Sequence, residues 1–309
     1  MDLCLYTDSV PELSFEEALD LAARTGCRSI EIATGGQSSA PHLRLGELLA
    51  DPARRRAFRD AFAARGLRIA ALNCSAWPLH PVRGEADATL IRDTIRLAGE
   101  LGVDRIVTMS GCPGDGPGAS TIDWLFYPWP ADATSLLERH WAAAVPFWQE
   151  IGALAEANGV TRIAFELHPL HLVYNVPTLA RMRQAVGPVI GANLDPSHLF
   201  WQAMDPLAVI DALGPAVHHV HLKDTEVIPE QVALAGVLDQ RPFDDPALRA
   251  WVFRTIGRVH DAAFWAAFVG RLRSVGYDGA LSIENEDPGQ THVEGVEEAA
   301  RFILPLLGG

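Results

Sequence analysis

The stretch Pro188-Val189-Ile190-Gly191-Ala192-Asn193-Leu194-Asp195-Pro196-Ser197-His198 decides the fold. A short apolar run bounded by turn formers reads as a buried strand. The run ends on an acid, Pro196 stops it, and a histidine follows three residues after the acid. A carboxylate and an imidazole therefore meet where a strand passes into a loop. Three further runs end in the same manner: Ile163-Ala164-Phe165 on Glu166-Leu167-His168, Val217-His218-His219-Val220 on His221-Leu222-Lys223-Asp224, and Ala280-Leu281-Ser282-Ile283 on Glu284. Four strands ending in Glu, Asp, His and Glu surround one point only when they lie parallel in a closed sheet. That arrangement places a divalent-metal site at the mouth of a barrel.

Outward from these four runs, strand and helix patterns alternate along the chain. Strands are expected at 3–6, 28–33, 67–73 and 103–109, ahead of the four that end on the acids and the histidine. Ser14 and Glu17 form a capping box that opens the first helix. The pattern over 44–65 reads as one long helix stopped by Gly66, and Gly102 stops another at 101. Later helices are expected at 136–158, from Pro177, from Pro206, through Phe264, Trp265 and Phe268, and at 293–307. Residues 111–135 and 225–261 read as long segments after strands four and seven. Eight repeated βα units favour a closed parallel barrel over an open doubly wound sheet. The expected fold is α/β, a single (β/α)8 TIM-barrel domain over 1–309 with long βα loops after strands four and seven. Function is then expected at the C-terminal strand ends.

Composition narrows the partners. The chain has 309 residues, 49% of them hydrophobic, enough for a large core. Its formal charge is −14, from 39 acids against 25 basic residues. A duplex-binding face needs clustered Lys and Arg, and the triplet Arg54-Arg55-Arg56 in a helical pattern reads as a solvated face, so no nucleic-acid partner is expected. The four cysteines, Cys4, Cys27, Cys74 and Cys112, have no metal or disulfide spacing. No apolar run reaches membrane-spanning length, and the first residues carry no basic leader pattern, so no membrane partner is expected and a cytoplasmic location is.

The set Glu166, Asp195, His221 and Glu284 is oxygen-rich with one imidazole. It suits one divalent ion, Mn²⁺ first, with Mg²⁺, Co²⁺ and Zn²⁺ also compatible. His168, Lys223 and Glu286 each stand two residues beyond a ligand and so share its face, above the metal. His198 is assigned to the substrate. His219 is expected one layer deeper, His218 facing outward to the helices, and Glu31 either orienting a neighbour at the barrel mouth or held in a buried ion pair. Trp124 in the loop after strand four offers either core packing or a platform for a sugar ring, and aromatics of this kind also favour an interface within a homo-oligomer or with another subunit.

These motifs, Glu166-Leu-His, Asp195-Pro-Ser-His198, His221-Leu-Lys-Asp and Ser282-Ile-Glu284, resemble the xylose isomerase-like TIM-barrel superfamily, and within it the sugar phosphate isomerase/epimerase group with its ketose 3-epimerases and inosose dehydratases. The resemblance implies a small sugar or keto-sugar substrate, metal ligation by the four residues above, proton exchange by Glu166 and Glu284, and substrate binding by His198. His168, by its place on the face of Glu166, is a further acid/base candidate. It also shows departures. Ketose 3-epimerases of this group carry an acid six residues past the first ligand, where this chain has Leu172, and an arginine six past the metal histidine, where it has Val227. Arg254 and His260 are expected to supply replacement substrate contacts, together with Lys223.

The implied reaction abstracts a proton α to a carbonyl through a metal-stabilised enediolate. Reprotonation makes an isomerase or epimerase. Loss of a β-leaving group makes a lyase or dehydratase acting on a 3-keto sugar or 3-keto-glycoside. An abasic-site endonuclease, which needs about three zincs and further ligands, and a non-catalytic sugar-binding barrel are the lesser alternatives.

Overall fold

Short buried runs separated by amphipathic helices leave each strand one stable partner on either side, and the sheet closes. The computed structural model describes residues 1–243 and 245–308. Strands β1 (Asp2–Tyr6), β2 (Ser29–Gly36), β3 (Arg68–Ser75), β4 (Arg105–Thr108), β5 (Arg162–Glu166), β6 (Ile190–Leu194) and β7 (Val217–Leu222) precede a small hairpin of β8 (Asp224–Val227) and β9 (Trp251–Arg254). Strand β10 (Ala280–Ile283) then closes an eight-stranded parallel barrel in the order β1-β10-β7-β6-β5-β4-β3-β2. The (β/α)8 barrel expected from the sequence is the fold observed.

The barrel has two cores. Between strands and helices lies a continuous apolar layer that includes the fully buried Trp148 and Trp265. Inside the barrel the apolar clusters are small: Cys4, Ala70 and Ala280 form one, and Ala71, Val107 and Ala164 another. Small side chains on the inner face leave room for buried charged and polar groups, which occupy both ends of the interior. The four cysteines are buried free thiols. No helix among the described residues is long and apolar enough to cross a membrane.

Local chemistry accounts for most helix boundaries. The Ser14 box opens α1 (Phe15–Arg24), with Ser14 Oγ accepting from the Glu17 amide and Glu17 accepting from the Ser14 amide. Gly102, at φ 74°, closes α4 (Gly84–Leu101) in the left-handed conformation that glycine tolerates best. The expected single helix over 44–65 is instead two, α2 (Leu45–Ala50) and α3 (Pro52–Ala63). Pro52 lacks an amide hydrogen and clashes with a preceding turn, so the first helix stops, while Asp51 caps the second by accepting from the Ala53 amide at 2.7 Å. Helix α5 (Ala131–Ala157) begins five residues earlier than expected, and α6 (Val176–Val186) follows the capping Asn175.

Two departures bear on function. His198, expected on a loop, lies in the one-turn helix α7 (Pro196–Phe200), whose N-cap is Asp195. The segment 225–261 is not an irregular loop: its strands β8 and β9 pair antiparallel over the mouth of the barrel, with α9 (Pro229–Ala235) between them. Helix α8 (Pro206–Leu213) leads to β7, and α10 (Ala262–Ser274) and α11 (His292–Leu307) complete the outer ring.

His218 also departs from expectation. The β6–β7 register runs Ala192↔Val217 and then Asn193↔His219, so His218 is the extra residue of a β-bulge. Its ring does not face the helices. It lies against Gly191, where an added Cβ would sit 2.3 Å from the imidazole, and it lines a cavity at the N-terminal end of the barrel.

Candidate active site

The C-terminal strand ends position the ionisable groups. Strand β5 ends on Glu166, β7 presents His219 and His221 two residues apart on its inner face, and Glu284 follows β10 directly. Asp195 follows β6 and divides its carboxylate: Oδ1 accepts from the Ser197 amide at 2.9 Å to cap α7, and Oδ2 turns into the mouth. The α7 turn also fixes His198, whose Nε2 lies 3.0 Å from Glu166 Oε1 and 3.4 Å from Asp195 Oδ2.

Glu166, His221 and Glu284 each offer a ligand atom within 4.8 Å of the others. His221 Nδ1 is 2.9 Å from Glu284 Oε2 and 3.9 Å from Glu166 Oε2. Its other nitrogen, Nε2, donates to Glu31 at 3.1 Å from both carboxylate oxygens. That bond fixes the ring and aims Nδ1 at the carboxylates, the orientation a ligating histidine takes from its outer partner. Glu31 is fully buried and also receives His219 Nε2 at 2.8 Å and Asn73 Nδ2 at 2.7 Å. Glu31 thus touches His221 and His219 directly, within a buried charge cluster.

Lys223 closes the upper side. Its Nζ donates to Glu284 Oε2 at 2.6 Å and Glu286 Oε2 at 2.8 Å and stands 3.1 Å from Asp195 Oδ2. Asp195 Oδ2 is buried and, despite that proximity, receives no hydrogen bond of proper geometry. The Phe253 ring of β9 covers the ammonium at 4.6 Å and meets the His198 ring edge-on at 5.4 Å. His168 packs on His198 with ring centroids 4.2 Å apart and donates to the Pro169 carbonyl. Tyr6, Asp8, Gln37, Ser38, Ser75 and Met109 complete the wall of a cavity of about 240 Å³, shared with Glu166, His168, His198, Lys223, Phe253, Glu284 and Glu286.

The environments of the two catalytic candidates pull them apart. Burial and the neighbouring Glu284 charge raise the pKa of Glu166. Burial works against ionisation of Glu284 too, but the adjacent His221 and Lys223 cations outweigh it and hold Glu284 below the usual carboxylate range. Glu284 and Glu31 together overcome the burial of His221 and keep it protonated well above the ordinary histidine value. Burial holds His168 and His198 neutral, each pushed down to about 4. Paired groups displaced in opposite directions are what acid/base chemistry uses.

The other expected substrate contacts lie elsewhere. Arg254 is held by Glu226 at 2.7 Å and Asp287 at 3.2 Å. His260 Nδ1 is 2.6 Å from Asp224 Oδ1 and its ring stacks on Phe200 at 3.9 Å. Trp124 donates to the His171 carbonyl at 3.0 Å and packs on Phe126 and Tyr174. None of the three lines the 240 Å³ cavity. Phe253, Asp8 and Tyr6 do, and sequence reasoning passed over them. The aromatic and β-branched run Trp251-Val252-Phe253 is a signal for β9, but nothing local indicates that the hairpin folds back over the mouth. Leu172 and Val227, which replace the epimerase acid and arginine, are a buried core residue and the last residue of β8.

The model of the xylose isomerase-like TIM barrel family matches residues 19–306. A Bacillus subtilis (strain 168) protein described as uncharacterised, YfiH, is 41% identical over 291 residues, 93% of either chain. Among solved structures, the zinc-bound IOLI protein superposes with TM-score 0.68 at 20% identity, over 100% of this chain and 98% of its own. The probable 3-DHS dehydratase AsbF of Bacillus anthracis gives 0.67 at 16%, over 99% of each chain. D-psicose 3-epimerase in the presence of D-fructose gives 0.63 at 14%, over the full length of both. At these identities the solved structures share the fold.

Proposed function

We propose that this chain, which belongs to the xylose isomerase-like TIM barrel family, is a divalent-metal-dependent sugar isomerase or epimerase that removes a proton α to a carbonyl. The observation that carries this reading is the convergence of Glu166, His221 and Glu284 at one point of the mouth, with Asp195 Oδ2 turned towards it. The donors fit a cation: an imidazole nitrogen already aimed by Glu31 and three carboxylates, one of which, Asp195, has a buried oxygen without a hydrogen bond. Glu166, Asp195, His221 and Glu284 would hold it, and an oxygen-rich set favours Mn²⁺, with Mg²⁺, Co²⁺ and Zn²⁺ compatible. A divalent ion held there supplies electrophilic polarisation of a substrate carbonyl oxygen.

The remaining work falls to the chain itself. Glu166, its pKa raised, and Glu284, its pKa lowered, stand on different strands and serve as the proton-exchanging pair. His198 touches Glu166 and holds a substrate hydroxyl, with neutral His168 behind it. Lys223 adds a fixed positive charge where negative charge develops on the substrate. Phe253 and Met109 give the cavity its apolar surface against the face of a sugar ring.

A β-elimination on a 3-keto sugar or 3-keto-glycoside uses the same first step. The absence of the epimerase acid and arginine at Leu172 and Val227, together with the dehydratase among the fold neighbours, favours keeping it as the second reading. Incubation with keto-sugars and 3-keto-glycosides in deuterated water, with added Mn²⁺, tests both. Label at the carbon beside the carbonyl is the result expected, and a lost leaving group would identify the lyase. Neither label nor loss with any of these substrates refutes the proposal.

A further inference from the structure

The floor of the barrel, opposite the mouth, gathers ionisable groups that the proposed reaction does not use. Arg105 opens β4, Arg162 opens β5, and the two are register partners, so their side chains leave neighbouring strands on one face. Arg105 is 7% exposed, its Nε is buried without a hydrogen bond, and among the described residues no carboxylate approaches its guanidinium within 4.0 Å. Arg162 holds Asp104 at 2.6 Å through Nη1 alone. His218, delivered by the β-bulge, is 6% exposed with Nδ1 unpartnered. Burial and the nearby Arg183, Arg162 and Arg105 cations push it down to about 3, so it stands neutral.

Arg105, Arg162 and His218, with Tyr277, Asp278 and Gly279, line a cavity of about 190 Å³. Asp278, an acid on its wall, is solvent-exposed and lies beyond ion-pair distance of these cations. A guanidinium withdrawn from water with no counter-charge is a costly arrangement unless something completes it. On a chain of formal charge −14, a cationic hollow is an exception that selects anions. Two adjacent guanidinium forks match the oxygens of a tetrahedral anion, and a neutral imidazole adds a donor without adding charge.

We propose that this floor cavity binds a small tetrahedral oxyanion, either free phosphate or the phosphoryl group of a small metabolite. Arg105 is the principal anchor, Arg162 the second, and His218 a hydrogen-bond donor. The test is calorimetric titration and thermal unfolding of the full chain in chloride buffer, first with inorganic phosphate and then with glycerol phosphate. Saturable binding near one equivalent, with a Tm that climbs with ligand concentration, is expected. Tighter binding of the ester than of the free ion identifies a metabolite, and the reverse identifies phosphate. Arg162→Gln should weaken binding about tenfold or more by removing one bidentate partner. Arg105→Met should abolish the response and by itself raise the Tm in anion-free buffer, the opposite of what loss of a purely structural arginine would do. Should Arg105→Met fail to fold, Arg162→Gln, whose side chain is 44% exposed, decides the matter. Binding should persist in Glu284→Gln. Absence of saturable binding by either anion, or binding that survives in both arginine variants or vanishes only in Glu284→Gln, overturns the assignment.

Discussion

At the mouth of the barrel carboxylates outnumber cations, and at its floor guanidiniums outnumber carboxylates. The mouth is a network: Lys223 reaches Asp195, Glu284 and Glu286, and His221 bridges Glu284 and Glu31. The floor is not. Arg105 has no acidic partner among the described residues, and His218 has an idle ring nitrogen. The two ends share one set of strands and one small-residue interior. A buried charge in a network reports little by itself, because its partners already explain it. A buried charge outside one points to something not encoded in the chain.

The largest effect should come from breaking the mouth. Glu284→Gln is expected to lower metal-dependent turnover at least about a thousandfold and to lose metal measured by elemental analysis, with the circular dichroism spectrum unchanged. Unaltered metal content would remove Glu284 from the ligand set and weaken the contrast between the ends. Glu31→Gln sharpens it. The variant keeps the four proposed ligands but weakens the aim of His221, and metal affinity should fall about 10–100-fold.

The floor answers to packing and to acid. Gly191→Ala forces a Cβ to within 2.5 Å of three His218 ring atoms. A stability loss of about 1–3 kcal/mol by urea denaturation is expected, along with a blunted phosphate response. His218 is held at about 3 in the folded protein against an ordinary value of 6.5. As pH falls through 6.5 the unfolded chain takes up this proton first. Its contribution to stability is therefore complete above 6.5 and declines at about 1.4 kcal/mol per pH unit until about 3. A urea midpoint followed from pH 7 to 4 should show the slope, and His218→Gln should reduce it by one histidine's share, leaving the part that His168 and His198 contribute. The smallest change is a control remote from both ends: Ser14→Ala removes the α1 cap and should cost about 1 kcal/mol without altering metal or phosphate binding.

The sequence carried the barrel because its signals are local. Short continuous apolar runs, a Ser-x-x-Glu box at Ser14 and a left-handed stop at Gly102 each depend on a few neighbouring residues. The four strand-end groups were legible for the same reason: once the strands are parallel, their ends must meet. The break at Asp51-Pro52 is equally local, a cap and a proline set inside a long helical pattern that masks them. His218 could not be placed by counting, because one inserted residue in the β6–β7 pairing reverses its direction, and the insertion is visible only against the partner strand. Arg254, His260 and Trp124 have the right chemistry for substrate contact, yet the tertiary structure engages them with Glu226, Asp287, Asp224 and the His171 carbonyl.

What the sequence determined by itself was the order of βα units and the chemistry at four strand ends, since backbone propensity and side-chain period act over short spans. What the tertiary structure alone decided was the partnering of charges across the barrel. Glu31 reaches His221 over 190 residues of chain, Phe253 folds back onto Lys223, and Arg105 is set beside Arg162 in the register with no carboxylate within 4.0 Å of its own guanidinium among the described residues. Such encounters follow from sheet closure and register, and no stretch of neighbouring residues contains them.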